Sequence, residues 1–224
     1  MNGGVKKKLK IILPIVAVVV VGVIIALMCI FLTSKITAED YFNSLNKSSY
    51  TRWAQTTTIK ESDVVVYQKS ETLIYEGDNI YHKIEEKQLS EDLSTDYVVV
   101  TNEYYYTQDK MYYLENNEWK IKDFDVSSRF NYYNLKVKYF NTIKFDEKIK
   151  SQGTLEGKIK GDYTGDVVNT QSNLSEMYLT IIVNKDFKAQ SFKITAKTAS
   201  NRDLTIENIY TYEDELVFLP SLNS

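Results

Sequence analysis

His82 is the single imidazole in a chain of 224 residues, and it sits in Ile80-Tyr-His-Lys-Ile84. Any His-dependent triad rests on that one side chain, and a multi-His metal site is excluded. Ile80, His82 and Ile84 share one face of a strand, so the plain reading is a sheet histidine. Cys29 is the one thiol, so neither an intrachain disulfide nor a Cys-rich zinc site is available. Carboxylates are plentiful, and a glycosidase needs only two. Yet Glu85-Glu86, Glu91-Asp92 and Glu213-Asp-Glu215 look like solvated edges and turns. The sequence carries none of the G-x-S-x-G, P-loop, H-E-x-x-H or G-x-G-x-x-G signatures, and no D-x-D-x-D-G calcium loop. The expectation is a protein that is not an enzyme and holds no cofactor or metal.

Residues Ile11 to Leu32 form a run without a charge. A helix of that length rises about 33 Å, close to the roughly 30 Å of a bilayer core. A soluble helix would carry a polar stripe, and this run has none. It is longer than a secretory h-region and is followed by no A-x-A pattern, which favours a retained anchor over a cleaved signal. Met28 precedes Cys29 where a lipidation signal needs a small residue, so Cys29 reads as a helix residue. Lys6, Lys7, Lys8 and Lys10 precede the span, which puts the N-terminus in the cytoplasm and the C-terminal part outside. Residues 1–10 are therefore read as a cytoplasmic basic stub, 11–32 as a transmembrane signal-anchor, 33–49 as linker and short helix, and 50–224 as an extracytoplasmic β-rich domain.

The formal charge of −3 hides an asymmetry. Five of the 27 basic residues lie in the first 35 positions, while all 30 acidic residues lie at or after Glu39. The exterior thus holds 22 basic against 30 acidic residues, a net of −8. Nucleic-acid binding needs a basic footprint and is disfavoured. All 18 Tyr fall after residue 40. The Lys-, Asn-, Ile- and Tyr-rich usage fits an AT-rich bacterial genome, Gram-positive or related, with the chain in its cell membrane.

What positions these side chains is sheet with a little helix, an α+β chain. Thr37-Ala-Glu-Asp40 has the form of a capping box opening a short helix with Tyr41, Phe42 and Leu45 on one face. From Tyr50 the chain is rich in strand formers. Candidate strands are Trp53–Ile59, Val64–Gln68, Leu73–Glu76, Ile80–Glu86, Tyr97–Tyr106, Met111–Leu114 and Trp119–Asp123. Near the C-terminus come Met177–Val183, Phe192–Thr198 and Leu204–Tyr212. Short turns between successive strands predict an antiparallel meander. Tyr75–Tyr81 and Tyr106–Tyr112 share Y-x-x-D-x-x-Y, and Tyr113–Trp119 repeats the spacing. Turn chemistry accounts for that repeat, with the Asx residue bonding nearby backbone and the aromatics flanking it. The middle is ambiguous between helix and strand. The reading favours a helix from Ser127 or Ser128 through Phe140, and a strand with loops over 151–166.

Several strands are apolar on both faces, as in Tyr97–Val100, Tyr104–Tyr106 and Met111–Leu114. A half-buried antiparallel strand should have one wet face. The pattern predicts a strongly curved sheet, an incomplete barrel, with one to three short helices against its concave face. The expected lining of an apolar cavity is Val98, Val100, Tyr104, Tyr106, Tyr112, Leu179, Ile181, Phe192, Ile194, Ile206 and Tyr210.

The stretches Leu73–Asp123 and Met177–Tyr212, with the turn Val183-Asn-Lys-Asp-Phe-Lys188, give the chain a resemblance to the LolA-like superfamily. That superfamily includes lipoprotein carriers and related envelope lipoproteins. The resemblance implies an unclosed antiparallel β-barrel with helices across the hollow. It further implies binding of acyl chains or lipoproteins there, or a sensory role in envelope stress. No family site residue is matched, so none is carried over. Two readings follow. One is a membrane-anchored binding module for a lipid or other hydrophobic ligand. The other is an envelope module with a filled core that meets a protein or glycan partner through exposed aromatics such as Trp53 or Trp119.

Overall fold

The computed structural model describes Val21, Val23 and residues 35–46, 50–90, 97–116, 118–124, 133, 135–168, 173–213, 217 and 220. The chain divides into two compact units, Met1–Ile36 and Thr37–Ser224. In the first, Val21 and Val23 are helical and exposed. The rest of the expected span lies outside the described residues, and among the described residues no helix is long and apolar enough to cross a membrane.

In the second unit, eleven strands form one antiparallel sheet. They are β1 (Arg52–Glu61), β2 (Val64–Glu76), β3 (Asn79–Leu89), β4 (Tyr97–Tyr106), β5 (Lys110–Glu115), β6 (Glu118–Asp123), β7 (Phe140–Phe145), β8 (Gln152–Ile159), β9 (Ser175–Asn184), β10 (Ala189–Lys197) and β11 (Asp203–Thr211). Their order is β6-β5-β4-β3-β2-β1-β11-β10-β9-β8-β7. Two meanders, β1–β6 and β7–β11, are joined by the pairing of β1 with β11, as in Trp53↔Tyr210. The ends of the order are β6 and β7, so the sheet is open between them among the described residues.

Helix α1 (Ala38–Asn46) starts with one half of its capping box, the Asp40 carboxylate reaching back to Thr37. Thr37 donates its backbone N–H to Asp40 Oδ2 at 2.8 Å and its hydroxyl to the same oxygen at 2.9 Å. Tyr41, Phe42 and Leu45 are buried, and the helix packs on β9 and β10. The Phe42 and Phe140 rings stack at 5.3 Å. Gly157 makes room for that stack, because a Cβ there would run into the Phe140 ring.

Three expectations need correction. Val64–Gln68 and Leu73–Glu76 are one strand, β2, because the polar run between them pairs in register with both neighbours. Residues 140–145 are strand β7, preceded by a 3-10 turn at Val137–Tyr139, where a helix was expected. The earlier part of that expected helix, 127–132, lies outside the described residues. The expected strand at 151–166 ends at Ile159 and gives way to a short helix α2 (Thr164–Val168).

Candidate functional site

The register sorts every strand residue onto one of two faces. The face against which α1 packs, the inner face, carries Leu155 on β8 and Met177, Leu179, Ile181 and Val183 on β9. It also carries Phe192, Ile194 and Ala196 on β10, and Leu204, Asn208 and Tyr210 on β11; all of these are buried. Ile206 shares this face and is half-buried. Here the alternation is strict, and the interior is filled by the protein's own side chains, including the Tyr133 ring at 4.4 Å from Phe192.

Across β1 and β2 the same face turns polar. Gln55 pairs with Asn208 on one side and with Glu71 on the other. Thr57 likewise stands between Ile206 and Lys69. Asn208 is fully buried and its groups are engaged. Its Oδ1 accepts from Trp53 Nε1 at 3.0 Å and from Gln55 Nε2 at 3.0 Å, and its Nδ2 donates to the Phe192 carbonyl at 3.1 Å. The Tyr133 hydroxyl reaches the same Oδ1 at 3.3 Å and accepts from Gln55 Nε2 at 2.8 Å. Burial pushes that phenol up to about 12, so it stays protonated and donates.

Next to this network stands the histidine. His82 Nε2 lies 2.7 Å from Glu71 Oε1, and its Nδ1 lies 3.4 Å from the Tyr106 hydroxyl. A carboxylate only accepts, so Nε2–H donates to Glu71. In the neutral ring Nδ1 is then left to accept from Tyr106. Burial pushes the Glu71 carboxyl up, but the bond from His82 and the Lys69 ammonium at 3.2 Å outweigh it. The group is held below its ordinary range. A Glu–His–Tyr chain can move a proton in principle. Tyr106 is fully buried, however, so its hydroxyl has no access to a substrate. The arrangement orients side chains. Among the described residues no group of three His, Cys, Asp or Glu is placed to hold a metal ion.

Most of the expected cavity residues fall into two groups on separate strands of the inner face, with Trp53 packed against the first and bonded to Asn208 beside the second. Tyr104 and Tyr106 face inward on β4 and join a small core of Leu73, Ile80 and Met111. Val98 and Val100 share their face but are 59% and 49% exposed. Leu179, Ile181, Phe192, Ile194, Ile206 and Tyr210 lie beyond β3, β2, β1 and the β1–β11 seam. Tyr112 pairs with Tyr105 and so faces the other way. That corrects its place in the lining. The two-residue turn between Thr107 and Lys110 already carried the signal, since it sets 105 opposite 112.

Between the two groups the inner face of β2–β4 is a mixed surface. Half-buried Tyr67, Lys69, Ile84 and Glu86 alternate across it and lead to exposed Val98, Asn102 and Val100. Sequence reasoning missed Gln55, Glu71, Lys69 and Asn208. Their signal was polarity at inward positions of strands whose other inward residues are apolar.

No family model matches the chain, and no curated protein matches it. Solved structures do. Lipoprotein LppX of Mycobacterium tuberculosis matches with a TM-score of 0.39 and 7% identity, over 82% of this chain and 100% of that one. LprF from Mycobacterium bovis matches with 0.41 and 9%, over 82% and 97%. The dehydratase domain of the CurF module of curacin polyketide synthase matches with 0.18 and 10%, over 78% and 79%. At these scores they carry no argument about ligand or task.

Proposed function

We propose that the protein is a membrane-tethered extracytoplasmic binding module, without catalysis, that holds an amphiphile against the inner face of β2–β4. The observation that carries the reading is the exposure of Val98 and Val100 on the same face as the ion pair of Lys69 and Glu71. Grouped exposed apolar side chains mark a binding surface more often than a single isolated one does, and Val99 on the other face of the same stretch is exposed as well. An acyl chain would lie along Val98, Val100, Ile84 and Tyr67, with a polar head toward Lys69, Glu71 and Glu86. The tether is supported by the charge-free run 11–32 and the lysines that precede it. The LolA-like resemblance points to the same class of ligand.

The packing of Leu179, Ile181, Phe192 and Ile194 favours a second reading, the envelope interaction module with a filled core. The two part in one experiment. The unit Thr37–Ser224, purified without detergent from cells and extracted with organic solvent, is expected to release a stoichiometric lipid seen by mass spectrometry. A preparation free of lipid, together with recovery of one reproducible envelope partner on crosslinking in cells, would favour the second reading.

A further inference from the structure

The outer face carries an aromatic row that the inner-face reading leaves unused. Tyr81 and Tyr105 rings lie 5.0 Å apart, and Tyr105 meets the Trp119 ring edge-on at 5.3 Å. Tyr105 pairs with Tyr112, Tyr112 with Ile121, and Leu114 with Trp119. The row therefore runs to β6, a terminal strand of the sheet, and there it ends on Leu114 and Ile121, which are 48% and 44% exposed.

The backbone of β6 fixes what could continue it. Glu115 pairs with Glu118 across a two-residue turn, so that pair exchanges both its hydrogen bonds. Alternation then gives bonded pairs at 113/120 and 111/122. The bond from Phe124 N–H to the Asp109 carbonyl, at 3.0 Å, continues the same alternation. Hence Trp119 and Ile121 turn their own N–H and C=O to the edge that no strand covers among the described residues.

We propose that β6 pairs with β6 of a second copy of this chain, antiparallel about a two-fold axis through Lys120. In that register Trp119 faces Ile121 of the copy and exchanges both backbone bonds with it, twice over by symmetry. On the outer face the row becomes Tyr105, Tyr112, Ile121, then Trp119 and Leu114 of the copy, and the exposed apolar ends cover one another. On the inner face Glu118 meets Lys122 of the copy, twice. Lys120 meets its own counterpart on the axis, but each Lys120 is neutralised by its own Glu118 at 2.7 Å. Moving the axis to Ile121 sets Lys120 against Lys122 and Trp119 against Asp123, so the charge match is lost and only the Ile121 contact with its own counterpart stays apolar. Moving it to Trp119 keeps a Glu118–Lys120 match but sets exposed Ile121 against Asn117 instead of Trp119. The pairing is independent of what the inner face holds.

The test uses the full chain in native membranes with Cys29→Ser. Lys120→Cys places two thiols opposite each other in a non-bonded antiparallel pair, about 4.5 Å apart at Cα, which is within disulfide reach. Mild oxidation is expected to give a covalent dimer, while Thr142→Cys on β7, at the other edge, stays monomeric. In detergent, Glu118→Lys and Lys122→Glu are each expected to weaken self-association roughly tenfold by sedimentation, and the double exchange to restore it. Crosslinking of Lys120→Cys no greater than that of Thr142→Cys, or a double exchange no better than the single ones, overturns the proposal.

Discussion

Glu71 on β2 and His82 on β3 are diagonal neighbours across the strand pair, joined at 2.7 Å on the inner face. His82 is buried, and the Glu71 side chain is 18% exposed. Removing the imidazole leaves a largely desolvated carboxylate short of a donor. His82→Ala is expected to cost about 1–3 kcal/mol in urea unfolding. Glu71→Gln keeps an acceptor and is expected to cost less. An unchanged midpoint for His82→Ala would show that the pair adds nothing.

The same pair gives a pH dependence with a definite sign. The Glu71 carboxyl is held below its ordinary value of 4.5. The stability this confers is fully present above that value and is lost as pH falls through the lower folded value. Wild-type stability should therefore fall more steeply from about pH 5 to pH 3 than that of Glu71→Gln. Parallel profiles from thermal melts would contradict it.

Asn208 holds the polar seam where the two meanders join. Asn208→Leu leaves Trp53 Nε1, the Tyr133 hydroxyl and the Phe192 carbonyl without this partner in a dry site. Each orphaned group costs about 1–3 kcal/mol, so the variant is expected to lose at least that much. Asn208→Asp keeps the acceptor oxygen and loses the donor to Phe192, at a buried charge, and should fare no better. Chemical denaturation of both variants checks this.

Gly157 is tested by one methyl group. Gly157→Ala forces the Phe140 ring away from its stack on Phe42. Overpacking of this kind costs about 1–3 kcal/mol, roughly 2–4 °C of Tm per kcal/mol for a unit of this size. A melt unchanged within a degree would show that the ring has room to move.

The sequence made half of the sheet easy to read. Met177, Leu179, Ile181 and Val183 alternate cleanly because α1 and Tyr133 cover one side and water the other, so period and burial coincide. Tight turns such as Gly77-Asp78 and Asn184–Phe187 announced their hairpins. In β2 the signal inverts. Lys69 and Glu71 face inward because Glu71 has His82 for a partner, and a polar run inside a strand reads as a turn. The joining of β1 to β11 brings Arg52 opposite Thr211, a long-range pairing that no local pattern encodes. That seam puts Tyr104 and Phe192 on different meanders of the one sheet. The order of the meander was legible, and the contacts between its ends were not.

Binding of an amphiphile on β2–β4 is tested most directly by titrating a fluorescent fatty acid into Thr37–Ser224 and into its Val98→Asp/Val100→Asp variant. Both valines are exposed, so the variant should fold with an unchanged melt. The expected result is saturable uptake by the wild type, weakened at least about tenfold in the variant. Equal uptake by both chains, or none by the folded wild type, would contradict the account.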